Sequence, residues 1–245
     1  MDAINNHCNE IMQCNQRGGR MLSVVDLVRA QTLSLELAAY LTSAIQQGAS
    51  FMVGASPGGA GKTTVMGALP NFVPRNVKLL AADSIENILK GCNKEVPRGC
   101  YICHEIGAGD YYAYLWGDAL KAYFNLAQWG HMMATNLHAD TLDEAHLQIC
   151  VENAVPIELF RKMNLILFLR VSGGWYGRRE VIQVWESDGK EKHRLVFDNN
   201  KTHLNSSLLV NENQYNAHVH LMDQLLKSGA VTNQEVRRFL CEIFS

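Results

Sequence analysis

The chain has 245 residues, 47% of them apolar, enough to bury one large core or a core with a small satellite. A formal charge of −2 with 19% charged residues leaves no basic stripe, which does not suggest a standing nucleic-acid site and disfavours a nucleic-acid motor. No apolar run approaches the ~20 residues of a bilayer-spanning helix, no basic-then-apolar leader opens the chain, and seven cysteines without framework spacing fit reduced thiols in a cytoplasm.

In chain order, residues 1–20 are polar, Asn-rich and without periodicity, which predicts a loose arm or remnant linker reaching to about residue 30. Ser34 caps a helix with Leu35, Leu37, Ala38, Leu41 and Ile45 on one side, stopped by Gly48. Strands are predicted at 50–54, 77–82, 100–105, 131–138 and 165–171, mostly as continuous apolar runs, the mark of strands covered on both faces. Helices fall between them at 62–69, 111–128 and 141–151, so the chain reads as α/β with a mostly parallel sheet flanked by helices and its ligand site at the carboxyl ends of the strands. Two short strands around Ser187-Asp-Gly-Lys190 read as a β-hairpin at the sheet edge. The basic pair Arg178-Arg179 reads as solvated strand edge. The last forty residues read as a small C-terminal helical pair split at Gly229. The predicted division is therefore 1–30 as an arm, 31–204 as the main domain and 205–245 as a helical extension.

The segment 51–65 runs from an apolar strand through a glycine-rich turn into a helix start and carries Gly61-Lys62-Thr63, which implies a phosphate-binding loop and a nucleoside triphosphate ligand. The predicted nucleotide-binding residues are Ser56, Pro57, Gly58, Gly59, Ala60, Gly61, Lys62, Thr63 and Thr64. Glycines let the backbone approach the phosphates and reach positive φ. Lys62 would meet the β and γ phosphates, Thr63 would place its hydroxyl on Mg2+, and the helix start would offer free amides to the anion. Ser56 stands where the strict pattern has its first glycine. Such a loop needs a carboxylate and γ-phosphate-sensing groups on neighbouring strands. Glu105 ends the run 100–105 and His138 ends the run 132–138.

Other polar clusters read as bland. Cys100 and Cys103 lie three apart on a strand and so on opposite faces, which argues against a metal pair. His7, Cys8 and Cys14 are less constrained. Asp140, Asp143, Glu144 and His146 span a helix cap and first turn, where the dipole favours acids.

Taken together, loop, carboxylate and double histidine resemble the nucleotide-binding domain of the type II/IV secretion ATPase family, the motors of pilus, archaeal-filament and conjugation systems. The helix 33–41 is similar to that family's helix leading into the loop. His104-Glu105 matches its Walker B element, and Gly130-His131 through His138-Ala-Asp-Thr resembles its histidine box. The resemblance implies a RecA-like core, ATP and Mg2+ as ligands, and assembly into a hexamer-type ring. It also implies docking on a membrane platform protein at the inner face of the membrane. By resemblance Glu105 and Thr63 hold the metal, Glu105 and His138 are catalytic, His131 is a second sensor, and Arg75 or Arg98 could complete a neighbour's site.

The sequence also departs from that family. Its acidic pair falls on Ala82-Asp83, so the glutamate that activates water is missing. Asp83 or Glu105 is then expected to take over, and an acid restored at Ala82 to raise a slow turnover. The alternative is a regulatory subunit that binds nucleotide but turns it over weakly. The family's large N-terminal domain corresponds here to about thirty residues, which predicts a monomer or weak oligomer without nucleotide.

Overall fold

The computed structural model describes residues 3–15, 18–56, 58–173, 177–199 and 201–244. Helix α1 (Ala3–Gln13) is followed by α2 (Val24–Arg29) and α3 (Leu35–Gln46), then β1 (Phe51–Gly54), α4 (Lys62–Ala68), β2 (Lys78–Ala81) and α5 (Ile85–Gly91). Next come β3 (Gly99–Ile102), β4 (Glu105–Ile106), β5 (Tyr114–Leu115), α6 (Asp118–Asn125), β6 (Met132–Leu137), α7 (Leu142–His146) and α8 (Ile157–Phe160). The chain ends with β7 (Leu165–Ser172), β8 (Arg178–Glu186), β9 (Arg194–Asp198), β10 (Lys201–Thr202), α9 (Glu212–Lys227) and α10 (Asn233–Ile243).

One sheet runs in the order β10-β9-β8-β7-β1-β6-β3-β2. Strands β7, β1, β6, β3 and β2 pair in parallel, and β8, β9 and β10 extend the β7 edge antiparallel. Strand alternation sorts the apolar side chains into two layers. Phe51, Val53, Cys100, Ile102, Ala134, Leu165 and Leu167 face a cluster with α3, α4, α9 and α10. Met52, Tyr101, Cys103, Met133, Ile166 and Phe168 face a second cluster with α5, α6, α7 and α8. Cys100 and Cys103 thus lie on opposite faces, as their spacing requires.

The expected mostly parallel sheet flanked by helices, with an edge hairpin and a C-terminal helical pair, is therefore present. Leu221, Met222, Leu225, Val236 and Leu240 of that pair belong to the same cluster as α3. Three local expectations need correction. The loose arm over 1–20 is instead helix α1, which buries His7, Cys8 and Ile11, packs against α10, and bonds the His7 ring to the Pro70 carbonyl at 3.0 Å. The strand expected over 100–105 breaks after Ile102 and restarts at Glu105. The helix expected from 111 begins only at Asp118, because 114–115 form β5 in parallel register with Glu105 and Ile106.

Two glycines are required where they stand. A Cβ on Gly54, at the end of β1, would lie 2.7 Å from the Ala139 carbonyl and 2.8 Å from the Phe168 ring. Gly61, which precedes α4, has φ 96°, a conformation costly for any residue with a Cβ.

Candidate functional site

Strand order sets the site. Strand β6 lies between β1 and β3, so the glycine loop after β1, His138 after β6 and Glu105 beyond β3 meet along one carboxyl edge of the sheet. A cavity of about 500 Å3 opens there, and Gly58, Gly59, Ala60, Gly61, Lys62, Thr63, Thr64, Glu105 and His138 line it. The carboxyl-edge location expected from the strand pattern is where these residues converge.

Lys62 is buried at the first position of α4, which aims its side chain back under the loop. Its ammonium donates to the Ala55 carbonyl at 3.0 Å and meets His138 Nδ1 at 3.2 Å. Glu105 Oε1 stands 3.8 Å from it, and Glu105 Oε2 is 3.9 Å from His138 Nε2. The loop's entry is fixed from the other side: Asp140 accepts from the Ser56 amide at 2.7 Å, and His138 Nδ1 lies 3.2 Å from the Ser56 carbonyl. Ser56 itself does not line the cavity, and Pro57 lies outside the described residues.

The electrostatics of the pair are uncompensated. Burial raises the pKa of Glu105 against the opposing pull of Lys62 and His138. Burial lowers that of Lys62 against the pull of Glu105 and Asp140. Desolvation thus outweighs the mutual attraction at 3.8 Å, a separation too long for a hydrogen bond between the two charges. A polyanion beside Lys62 and a cation beside Glu105 would supply what the pair lacks. The buried Glu105 Oε1 makes no hydrogen bond. A hard cation seeks such a carboxylate oxygen, and Thr63 adds a hydroxyl-bearing side chain to the same cavity.

Two expected site residues are elsewhere. Asp83 follows β2, three strands from β1, or about 14 Å at the usual strand spacing. It accepts from the Asn87 side chain at 2.7 Å and does not line the cavity. His131 stands at the opposite end of β6 from His138, roughly 20 Å away along the strand. Its Nδ1 accepts from the Gly99 amide at 3.0 Å, and its Nε2 donates to the Gly91 carbonyl at 2.9 Å. It is a buried strut between α5 and β3, so the sensor role fails on position. Ala82 is wholly buried in the second apolar cluster, and Arg75 and Arg98 line no part of the cavity.

Sequence reasoning missed Arg179, Arg20 and Tyr114, all in the cavity wall, and the segment around α2, which contributes Leu22, Leu27, Ala30 and Thr32. Adjacent residues on a strand point to opposite faces, so one of Arg178 and Arg179 had to turn inward. Among the described residues no group of His, Cys, Asp and Glu could hold a metal by itself. Thr141 caps the helix that carries Asp143 and Glu144, its hydroxyl accepting from the Glu144 amide. Burial raises the thiols of Cys8 to about 11 and of Cys14 to about 12, which keeps them protonated.

No family model matches the chain, and no curated protein matches it. Among solved structures it is similar to the VirB11 ATPase of the Brucella suis type IV secretion system, crystallised with sulphate. The identity is 19% and the TM-score 0.45, with 60% of this chain and 51% of that one covered. It is also similar to the Legionella pneumophila ATPase DotB, at 13% identity and TM-score 0.42, covering 80% of this chain and 58% of that one. The chain thus spans little more than half the length of either.

Proposed function

We propose that the cavity binds ATP with Mg2+ and that the chain is a hydrolysing motor domain of the type II/IV secretion ATPase kind. The observation that carries this reading is the meeting of Lys62, Glu105 and His138 within 4 Å at the mouth of a glycine loop. Lys62 neutralises the β and γ phosphates, and the loop from Gly58 to Thr64 offers backbone amides. His138, half exposed beside Lys62, donates to the γ phosphate. Glu105 and Thr63 would hold the metal, which when bound shields the phosphate charge. Glu105 also orients the attacking water and accepts its proton. It is the one carboxylate among the described residues lining the cavity.

That double duty favours slow turnover and gives the second reading, a nucleotide-dependent regulatory subunit, its support. Assembly as a ring, docking on a membrane platform protein, and action at the inner face of the membrane belong to the same proposal. They are compatible with the lack, among the described residues, of any helix long and apolar enough to cross a membrane. Steady-state ATP hydrolysis and ATP binding by calorimetry, measured together with mass in solution with and without ATP, separate the readings. Turnover with ATP-promoted assembly fits the motor, whereas binding without turnover fits the regulatory subunit. Absence of both binding and turnover contradicts each.

A further inference from the structure

Arg179 sits on β8, in the antiparallel part of the sheet and outside every motif of the loop. Its neighbour Arg178 faces solvent and pairs with Glu180 at 2.8 Å. Arg179 points the other way, into the wall of the cavity that Lys62 also lines. Its Nε donates to the Gly59 carbonyl at 3.3 Å and its Nη1 to the Gly177 carbonyl at 3.0 Å. Its Cδ lies 3.2 Å from where a Cβ on Gly61 would stand. The arginine side chain is therefore laid along the glycine loop at Gly59 and Gly61, just ahead of Lys62.

A guanidinium carries five N–H donors in a fixed plane, so it can hold a loop carbonyl and a phosphate oxygen at once. We propose that Arg179 binds the phosphate chain of the nucleotide from within the same chain, as a second cation beside Lys62. This rests on the reading of the cavity as a nucleoside triphosphate site. Strand β8 would then be part of the site, and occupancy of the cavity would stiffen the edge of the sheet.

The alternative is that Arg179 only props the loop through Gly59, and two substitutions separate the roles. Arg179→Lys keeps the charge, whereas Arg179→Gln keeps a neutral side-chain donor. The dissociation constant of ATP is measured by calorimetry for wild type, Arg179→Lys, Arg179→Gln and Lys62→Ala, at low and moderate salt. Melting temperatures without ATP report whether each variant is folded. Expected is a tenfold to hundredfold weakening in Arg179→Gln, the range for losing a hydrogen bond to a charged group. Arg179→Lys should bind severalfold better than Arg179→Gln, and the salt dependence should flatten in Arg179→Gln but not in Arg179→Lys. ATP binding by Arg179→Gln equal to wild type, or equal losses in Lys and Gln with unchanged salt dependence, overturns the proposal. Failure of wild type itself to bind ATP overturns the nucleotide reading beneath it, whereas binding by wild type that is lost in Lys62→Ala keeps that reading intact whatever Arg179 does.

Discussion

Lys62 and His138 meet at 3.2 Å although 76 residues separate them. The contact exists because β6 returns parallel to β1 and directly beside it, with Gly54 opposite Leu137. The first residue of α4 and the first residue after β6 then face each other over the sheet edge. Glu105 reaches the same point from β4, which pairs with β6 through Ile106 and Leu137.

Glu105→Gln removes the carboxylate but keeps its shape and a polar end. ATP hydrolysis should fall by about 10²- to 10⁴-fold, the range for loss of a general base, with ATP binding retained. Steady-state turnover and ATP calorimetry on the same preparation check this. An unaffected rate would place the catalytic carboxylate elsewhere.

His131→Ala should cost stability and leave the site intact. It strands the buried Gly99 amide and releases the Gly91 carbonyl and the Tyr101 ring, a loss of about 2–3 kcal/mol. Urea denaturation should show that loss, while ATP affinity at a temperature where the variant is folded should match wild type. A selective loss of ATP affinity would restore the sensor role.

Ala82→Glu should fail to raise turnover, contrary to the expectation from sequence. The side chain at 82 is wholly buried in the apolar cluster that also holds Ile88 and Cys103, so a glutamate there is both oversized and desolvated, costing about 3 kcal/mol. Lower melting temperature with no gain in rate is the expected result, and a faster, stable enzyme would refute it.

His7 sets part of the acid limb of stability. Burial, helped by Arg237 and opposed by the bond to Pro70, lowers its pKa from 6.5 to about 3. Below pH 6.5 the unfolded chain takes up a proton that the folded chain refuses until about pH 3. Stability contributed by neutral His7 is therefore complete above 6.5 and declines between 6.5 and 3, by up to about 1.4 kcal/mol per pH unit. Denaturation at pH 7, 6 and 5 should show a shallower decline in His7→Gln than in wild type. Parallel declines would mean that His7 is protonated in the fold.

What the sequence made legible follows from physical signal strength. Buried parallel strands leave continuous apolar runs, so β1, β2, β6 and β7 could be placed, and the loop and His138 came with their ends. Helix α1 was hidden because its Asn-rich surface is a poor helix former, and its stability comes from contacts of Cys8, Ile11 and His7 with distant elements. β5 was hidden because Tyr111, Tyr112 and Tyr114 suit helix and strand alike, and pairing with β4 decided between them. His131 and His138 bracket one strand, and only strand length shows that one strand has two ends too far apart to share a ligand.

The central claim is that the glycine loop binds nucleotide through Lys62, and ATP-dependent thermal stabilisation of wild type against Lys62→Ala tests it most directly. At 100 times its dissociation constant a ligand stabilises the fold by about 2.7 kcal/mol. Wild type should melt higher with ATP and Lys62→Ala should show no shift at the same concentration. An equal ATP-induced shift in both proteins, or none in wild type, would contradict the assignment.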